Sequence, residues 1–430
     1  MGLSWLSIVR LGLVQMALGA VVVLTTSTLN RLMVVELALP AALPGALVAL
    51  HYGVQISRPR WGFAADSAGR RTRWIVRGMG LLGLGAALAA LSVIVLETRF
   101  AEGLALSILA YALIGFGVGA SGTSLLALLA AGAAERRRAA AASITWLMMI
   151  FGIAVTAGTV GALLDPYSHA RLMVIVAAVT GGAFLVTCLA VAGIERRLAP
   201  TPPQPEGAPF MEALREVWAE PKARMFTLFV FLSMTAYFMQ ELILEPYAGL
   251  VFGFSPGAST GLSGAQHAGV FAGMLLVGVA CTGFRIGALR TWVAAGCVGS
   301  AGALGLIAAL GPMGPGAPLV PAVVLLGFFN GMFAVAAIGA MMALAGEGRE
   351  RREGTRVGLW GAAQALAAGF GGLLGAVAVD LSRSLVGADA PAFGLVFAAE
   401  AALFLAAALM AMRVMEGGRM AMRAAALPGE

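Results

Sequence analysis

Arg58-Pro-Arg-Trp-Gly62-Phe-Ala-Ala-Asp66-Ser-Ala-Gly69-Arg70-Arg71-Thr-Arg73 is a short basic stretch set between two long apolar runs. Its order is G-x3-D-x2-G-R-R. Gly62 and Gly69 permit a close turn, Asp66 can accept hydrogen bonds at a helix N-terminus, and the arginines can pair with carboxylates or lipid phosphates. A loop that was merely positive would not call for an aspartate flanked by two glycines. Gly62, Asp66, Gly69, Arg70 and Arg71 therefore read as a latch between helix ends.

Outward from this loop the chain is overwhelmingly apolar. Of its 430 residues, 60% are hydrophobic and only 11% charged, and mean hydropathy is +0.92. A water-exposed surface of that size could not tolerate those values. Runs of about 20 apolar residues, the length that crosses a hydrocarbon core, recur from one end to the other. Spans are expected near 11–29, 39–57, 74–96, 104–134, 139–163, 172–194, 225–250, 262–282, 291–311, 318–345, 357–380 and 391–413. The fold class is an all-α membrane protein of twelve transmembrane helices in two bundles of six. Residues 1–194 form the first bundle, 195–224 a linker, and 225–430 the second bundle with a short tail.

Charge placement supplies topology. The loops after even-numbered spans, with both termini, hold 24 of the 28 Lys and Arg residues, leaving Arg31, Arg99, Arg171 and Arg383 for the other side. That asymmetry predicts both termini in the cytoplasm. The net charge of +7 is spread through these loops and forms no single basic face, which argues against nucleic acid. Five prolines between Pro200 and Pro209 deny the linker regular structure until Phe210. Phe210, Met211, Leu214, Val217 and Trp218 then fit a short helix on the membrane surface, or an ordinary linker helix.

Small-xxx-small spacing at Gly115/Gly119 and Gly371/Gly375 predicts close helix packing in lipid. Gly78-Met-Gly80-Leu-Leu-Gly83 matches GxGxxG, but it lies inside a span with no preceding strand, so no dinucleotide site is read there. Cys188, Cys281 and Cys297 lie in apolar stretches and read as packed thiols.

The position and spacing of the Gly62–Arg71 loop resemble the signature loop of the major facilitator superfamily. The corresponding loop of the second half, Gly283-Phe-Arg285-Ile-Gly-Ala-Leu-Arg290, lacks an acidic residue and matches weakly.

Ionisable groups in lipid cost roughly 2.5–3.5 kcal/mol on insertion scales, so each calls for a role. His51, Gln55 and Arg58 form one polar stripe along span two. Glu241 and Glu245 share a face of span seven beside Pro246; His267 opens span eight, and Glu400 lies in span twelve. A neutral imidazole, or less often a carboxylate, can ligate the metal of a flat macrocycle. His51, His267, Glu241 and Glu245 are thus candidate pigment ligands, with magnesium of the pigment held through His51 or His267 and no other metal. The alternatives are a packing histidine at 51, an interfacial one at 267, and proton coupling or a capped helix end at the two glutamates.

Arg10-Leu-Gly-Leu-Val-Gln15-Met-Ala-Leu-Gly19, Leu24-Thr-Thr-Ser-Thr-Leu-Asn30-Arg31-Leu-Met-Val-Val-Glu36-Leu-Ala-Leu-Pro40, Leu47-Val-Ala-Leu-His51-Tyr52 and Gln240-Glu241-Leu-Ile-Leu-Glu245-Pro246-Tyr-Ala-Gly249 resemble the PucC and LhaA family of phototrophic bacteria. The likeness covers essentially the whole chain. It implies a light-harvesting complex assembly factor that binds or delivers bacteriochlorophyll as non-covalent cargo in the intracytoplasmic photosynthetic membrane. Its partners would be the lipid bilayer, antenna polypeptides and bacteriochlorophyll-synthesis enzymes. The chain looks short for the PucC and LhaA branches, which points to a third branch grouped with pigment-synthesis genes.

Two other readings compete. A proton-coupled transporter usually carries carboxylates near the bilayer midplane, often in its first half, and none is expected there; facilitative transport of a hydrophobic small molecule stays open. A prenyltransferase subunit would need paired aspartates to clamp magnesium pyrophosphate, yet Asp66, Asp165, Asp380 and Asp389 make no DxxD pair. No enzyme is expected.

Overall fold

The structure, a computed structural model, describes residues 3–57, 71–133, 135–195, 215, 218–282, 284, 286–346 and 353–415. Twelve long helices follow one another among them: α1 Trp5–Val23, prolonged by wider π turns Leu24–Leu29 and Leu32–Glu36; α2 Ala42–Val54; α3 Arg71–Leu96; α4 Phe100–Gly132; α5 Glu135–Leu164; α6 His169–Val191; α7 Pro221–Phe252; α8 Pro256–Thr282; α9 Leu289–Leu310; α10 Leu319–Gly346; α11 Glu353–Val386; and α12 Asp389–Val414. Eleven of these are long and apolar enough to cross a membrane; α2 is shorter and ends in the 3-10 turn Gln55–Ser57. An even number of crossings returns the last helix to the end where the first began, called here the terminal end, opposite the far end.

Buried apolar side chains form two large cores, one from α1–α6 and one from α7–α12; Leu242 of α7 joins the first. Glycine brings the helices together, because lipid supplies no hydrophobic drive between them and backbone contact must. A Cβ on Gly78 would lie 2.5 Å from the Ser121 amide nitrogen of α4, and one on Gly80 would meet Phe184 of α6 at 3.3 Å. The GxGxxG match is thus a packing surface. Gly371 and Gly375 bring α11 against the Thr235 and Met239 carbonyls of α7, as their spacing predicts, and Gly115 seats α4 on the His51 carbonyl. The three cysteines are free thiols, with Cys297 fully buried.

Three span limits differ from expectation, each for a physical reason. The first span runs to Glu36, not 29, because the polar run Thr25–Arg31 is buried helix and not the start of a loop. Arg31 and Glu36, expected in a loop beyond the membrane, belong to this helix. The eighth begins at Pro256, where proline suits a first helical turn, so His267 lies deep in the helix and not at its opening. Pro246, a candidate helix end, is interior to α7, which runs on to Gly253 with φ +71°.

Of the latch, Gly62, Asp66, Gly69 and Arg70 lie outside the described residues, as does Arg58 of the polar stripe. Arg71 is described, and it shows where α3 is tied down. The Glu195 carboxylate, just past α6, accepts the Arg71 N–H at 2.5 Å, the Thr72 N–H at 3.2 Å and the Thr72 hydroxyl at 2.6 Å. A carboxylate at a helix N-terminus satisfies orphan amides and faces the positive end of the helix dipole. Most of the proposed surface helix also falls outside; Trp218 is exposed.

Candidate functional site

The run Leu24-Thr-Thr-Ser-Thr-Leu-Asn30-Arg31 decides the centre of the molecule. Six polar side chains on a lipid-facing helix would be costly, and none of them faces lipid: Thr25, Thr26, Ser27, Thr28, Asn30 and Arg31 are each at most 4% exposed. A π turn widens the helix and turns its side chains off the ordinary register, a feature frequent at functional sites. Tyr111 of α4 donates to the Thr25 carbonyl at 3.2 Å, and Thr25 bonds the Val22 carbonyl at 2.7 Å.

The remaining groups reach across to α7 and α8. Pro246 has no N–H, so the Leu242 carbonyl one turn back loses its helical donor. Asn30 supplies one, its Nδ2 lying 2.8 Å from that oxygen. Ser27 donates to Glu245, Thr260 of α8 donates to Thr28 at 3.3 Å, and Arg31 bonds both Glu36 and the Phe254 carbonyl, the latter at 2.7 Å. A seam between the two groups of helices is therefore stitched by polar bonds. Glu245 Oε2 and Arg31 Nε are buried there without hydrogen-bond partners.

Deeper in the seam lie the other candidates. On α7, Phe238, Glu241 and Glu245 share one face by their spacing. Phe238 meets Tyr52 of α2 at 6.0 Å and Glu245 meets Ser27, so Glu241, half-buried between them, faces the first six helices. On α8, Thr260, His267 and Phe271 share a face; Thr260 touches Thr28, and the Phe271 ring lies 6.1 Å from Phe151 of α5. His267 therefore faces the seam too. Eleven residues separate Glu241 from the end of α7 at Phe252, and eleven separate His267 from the start of α8 at Pro256. At 1.5 Å per residue both are about 16 Å from the far end.

The two histidines differ in what they offer. His267 lies 2.9 Å through Nδ1 from the Ser263 carbonyl, which can only accept, so the proton is on Nδ1 and Nε2 keeps its lone pair. His51 is buried edge-on to Tyr52 at 4.8 Å, and its Nε2 already shares a 3.0 Å hydrogen bond with Gln55. The expected His51–Gln55 stripe is thus a bonded pair within α2.

The far end of the seam is shut by two mirrored contacts. Asp380 of α11 accepts the Ala41 and Ala42 N–H groups at 3.1 and 2.8 Å, at the start of α2. Asp165, after α5, accepts the Ser255 hydroxyl and the Gly257 N–H, the latter at 3.1 Å, at the start of α8. Each carboxylate holds the N-terminus of a helix from the other group. Between them α5 and α8 touch backbone to backbone: a Cβ on Gly161 would fall 2.5 Å from the Gly261 nitrogen. Beside this closure burial, with the Glu97 and Glu36 carboxylates, pushes the Tyr167 phenol up to about 12.

Sequence reasoning missed Ser27, Asn30, Arg31, Asp165, Asp380 and Glu195. The signal for Asn30 and Arg31 was the apolar Leu32-Met-Val-Val35 that follows them and carries the span onward. For the three carboxylates no local signal exists, because each acts on a helix start far away in sequence.

A family model described as PUCC protein matches residues 28–419. The chain belongs to the PucC family. Its PucC relatives include "Protein PucC" of Cereibacter sphaeroides, 28% identical over 84% of this chain and 81% of the relative. The "Bacteriochlorophyll synthase 44.5 kDa chain" of Rhodobacter capsulatus is 66% identical over 96% of each chain. Among solved structures, this PucC-family chain resembles a D-xylose-proton symporter with a TM-score of 0.73 at 14% identity, covering 95% of this chain and 97% of that one. The nucleoside transporter NupG gives 0.67 at 14% identity, covering 96% and 100%. The fold of this PucC-family protein is that of major-facilitator transporters, as the Gly62–Arg71 loop implied.

Proposed function

We propose that this protein is a light-harvesting complex assembly factor that binds bacteriochlorophyll in the seam and delivers it to antenna polypeptides of the photosynthetic membrane. Both termini, and with them the terminal end, would be cytoplasmic. Family membership and the pigment-related name of the 66% identical relative support the setting. The observation that carries the reading is His267, whose free Nε2 lone pair faces the seam at mid-depth. A magnesium chlorin takes its axial ligand from such a nitrogen, with the backbone carbonyl behind it fixing tautomer and ring orientation. Glu241, at the same depth, would meet a polar substituent of the macrocycle. His51 is the weaker ligand because Gln55 occupies its Nε2, and Glu245 because it serves Ser27 and adjoins Arg31.

The pigment is cargo in this reading, and the chain performs no catalysis on it. Asp165 and Asp380 are spent on helix starts and Asp389 on Arg383 at 2.7 Å, so these three carboxylates are not free to clamp a magnesium pyrophosphate. Two other readings have a specific basis. The fold, shared with a D-xylose-proton symporter, is the basis for a proton-coupled or facilitative carrier, for which the sparse charge within the first six helices would suit a hydrophobic small molecule. The name of the 66% identical relative favours a membrane subunit of a bacteriochlorophyll-synthesis enzyme.

The test is the absorption spectrum of tagged protein purified in mild detergent from a phototrophic host lacking antenna and reaction-centre polypeptides. A stoichiometric near-infrared band, abolished by His267→Leu and retained in His51→Leu, is expected. A colourless folded protein, or a band indifferent to His267, would sink the pigment site.

A further inference from the structure

Glu400 lies outside the seam, in the interior of α7–α12. It is completely buried, and neither carboxyl oxygen has a hydrogen-bond partner. Asn330 of α10 is likewise completely buried; its Oδ1 accepts the Ser300 hydroxyl of α9 at 2.7 Å, while its Nδ2 donates to nothing. Glu400 and Asn330 each stand eleven residues from the far-end start of their helix, Asp389 and Leu319 respectively. Both helices run the same way. One turn beyond them Phe404 of α12 meets Phe333 of α10 at 6.1 Å, so Asn330 and Glu400 face one another at a single level. On its other side Glu400 is closed in by Phe397, whose ring lies 5.0 Å from Tyr247.

Among the described residues an ionised Glu400 meets no counter-charge and no donor, and its desolvation outweighs anything the surrounding rings return. A proton removes the charge but leaves an O–H and a C=O unmet. One water would satisfy all three orphan groups: it accepts from Asn330 Nδ2 and from the Glu400 O–H, and donates to the Glu400 carbonyl oxygen. We propose that α9, α10 and α12 enclose a proton-binding site in which Glu400 is a neutral acid joined to Asn330 through one ordered water. The site is separate from the seam and independent of whether pigment binds there.

Infrared spectroscopy of the purified full-length protein at neutral pH tests it. The wild type shows a carboxylic-acid carbonyl band that is lost in Glu400→Gln. Asn330→Leu keeps Glu400 but removes the amide and displaces the water; it shifts that band to higher frequency and abolishes a water O–H band that moves in heavy-oxygen water. A carboxylate signature in the wild type minus Glu400→Gln difference overturns the proposal. So does an acid band that stays in place in Asn330→Leu, a comparison that still decides the matter should Glu400→Gln fail to fold.

Discussion

The seam between the two groups of helices and the interior of α7–α12 are both buried in the same bilayer, yet they are built differently. The interior is a lattice of rings: Tyr247 against Phe252, Phe393 and Phe397, Phe229 against Phe333, and Phe226 against Trp360 at 4.8 Å. The seam is made of glycine backbones and a few hydrogen bonds that reach helix starts, a proline-freed carbonyl and a buried glutamate. Lipid tails are as apolar as leucine, so an apolar seam could part at little cost, and the polar bonds are what hold it. Interlocked rings have one arrangement, whereas a handful of bonds can be exchanged as a unit.

The sharpest way to break the comparison is to fill the glycine contact. Gly161→Leu drives a side chain into the α8 backbone and should cost about 1–3 kcal/mol or more as overpacking. The expected result is the largest fall in melting temperature and, in a Val34→Cys background whose side chain is buried among Ala41, Ala376 and Leu250, new thiol labelling at the far end. Labelling equal to that of the parent would mean that α5 and α8 yield elsewhere.

Next is Glu245→Leu, which strands the Ser27 hydroxyl in a buried site. A loss of about 1–3 kcal/mol is expected from an unmet polar group, and Glu245→Gln should restore most of it by keeping an acceptor. A double-mutant cycle with Ser27→Ala measures the pair directly, and no coupling would remove Glu245 from the stitching.

Asp380→Asn and Asp165→Asn should each cost about 1 kcal/mol through loss of helix-start charge and one acceptor. Far-end labelling should rise in both, and more than additively in the double variant if the two contacts act as one closure. Smallest in its effect on the seam is Ser300→Ala in the aromatic interior, which strands the Asn330 Oδ1 at a cost of about 1–3 kcal/mol yet should leave labelling unchanged. A labelling change there would show that interior and seam are not separate.

Much of this architecture was legible from hydropathy alone, since length and apolar runs determine the number of crossings. The second half of the candidate site was legible too, because Glu241, Glu245 and His267 stand out as ionisable residues in apolar runs. Their roles were not. From sequence His267 reads as nearer the membrane surface than it is, because Ser259, Thr260 and Ser263 dilute the apolar run at the start of α8, although each is buried in the fold. Arg31 reads as a loop residue because a charged residue ordinarily ends a span; here Glu36, five residues on, and the Phe254 carbonyl receive it, and the second partner lies too far away in sequence to advertise the pairing. Hydrogen bonds between residues more than two hundred positions apart leave no periodicity to read.

The bond from Asn30 to the Leu242 carbonyl has a consequence for how the protein is made. Asn30 leaves the ribosome long before the segment containing Pro246, so α1 enters the bilayer with its amide unmet and with Arg31 held by Glu36 but still lacking the Phe254 carbonyl. Until α7 is inserted, the earliest helix is among the least settled in lipid, and it depends on the insertion machinery or on neighbouring nascent helices for shelter. Biogenesis of the N-terminal helices is therefore complete only when translation is well past its midpoint.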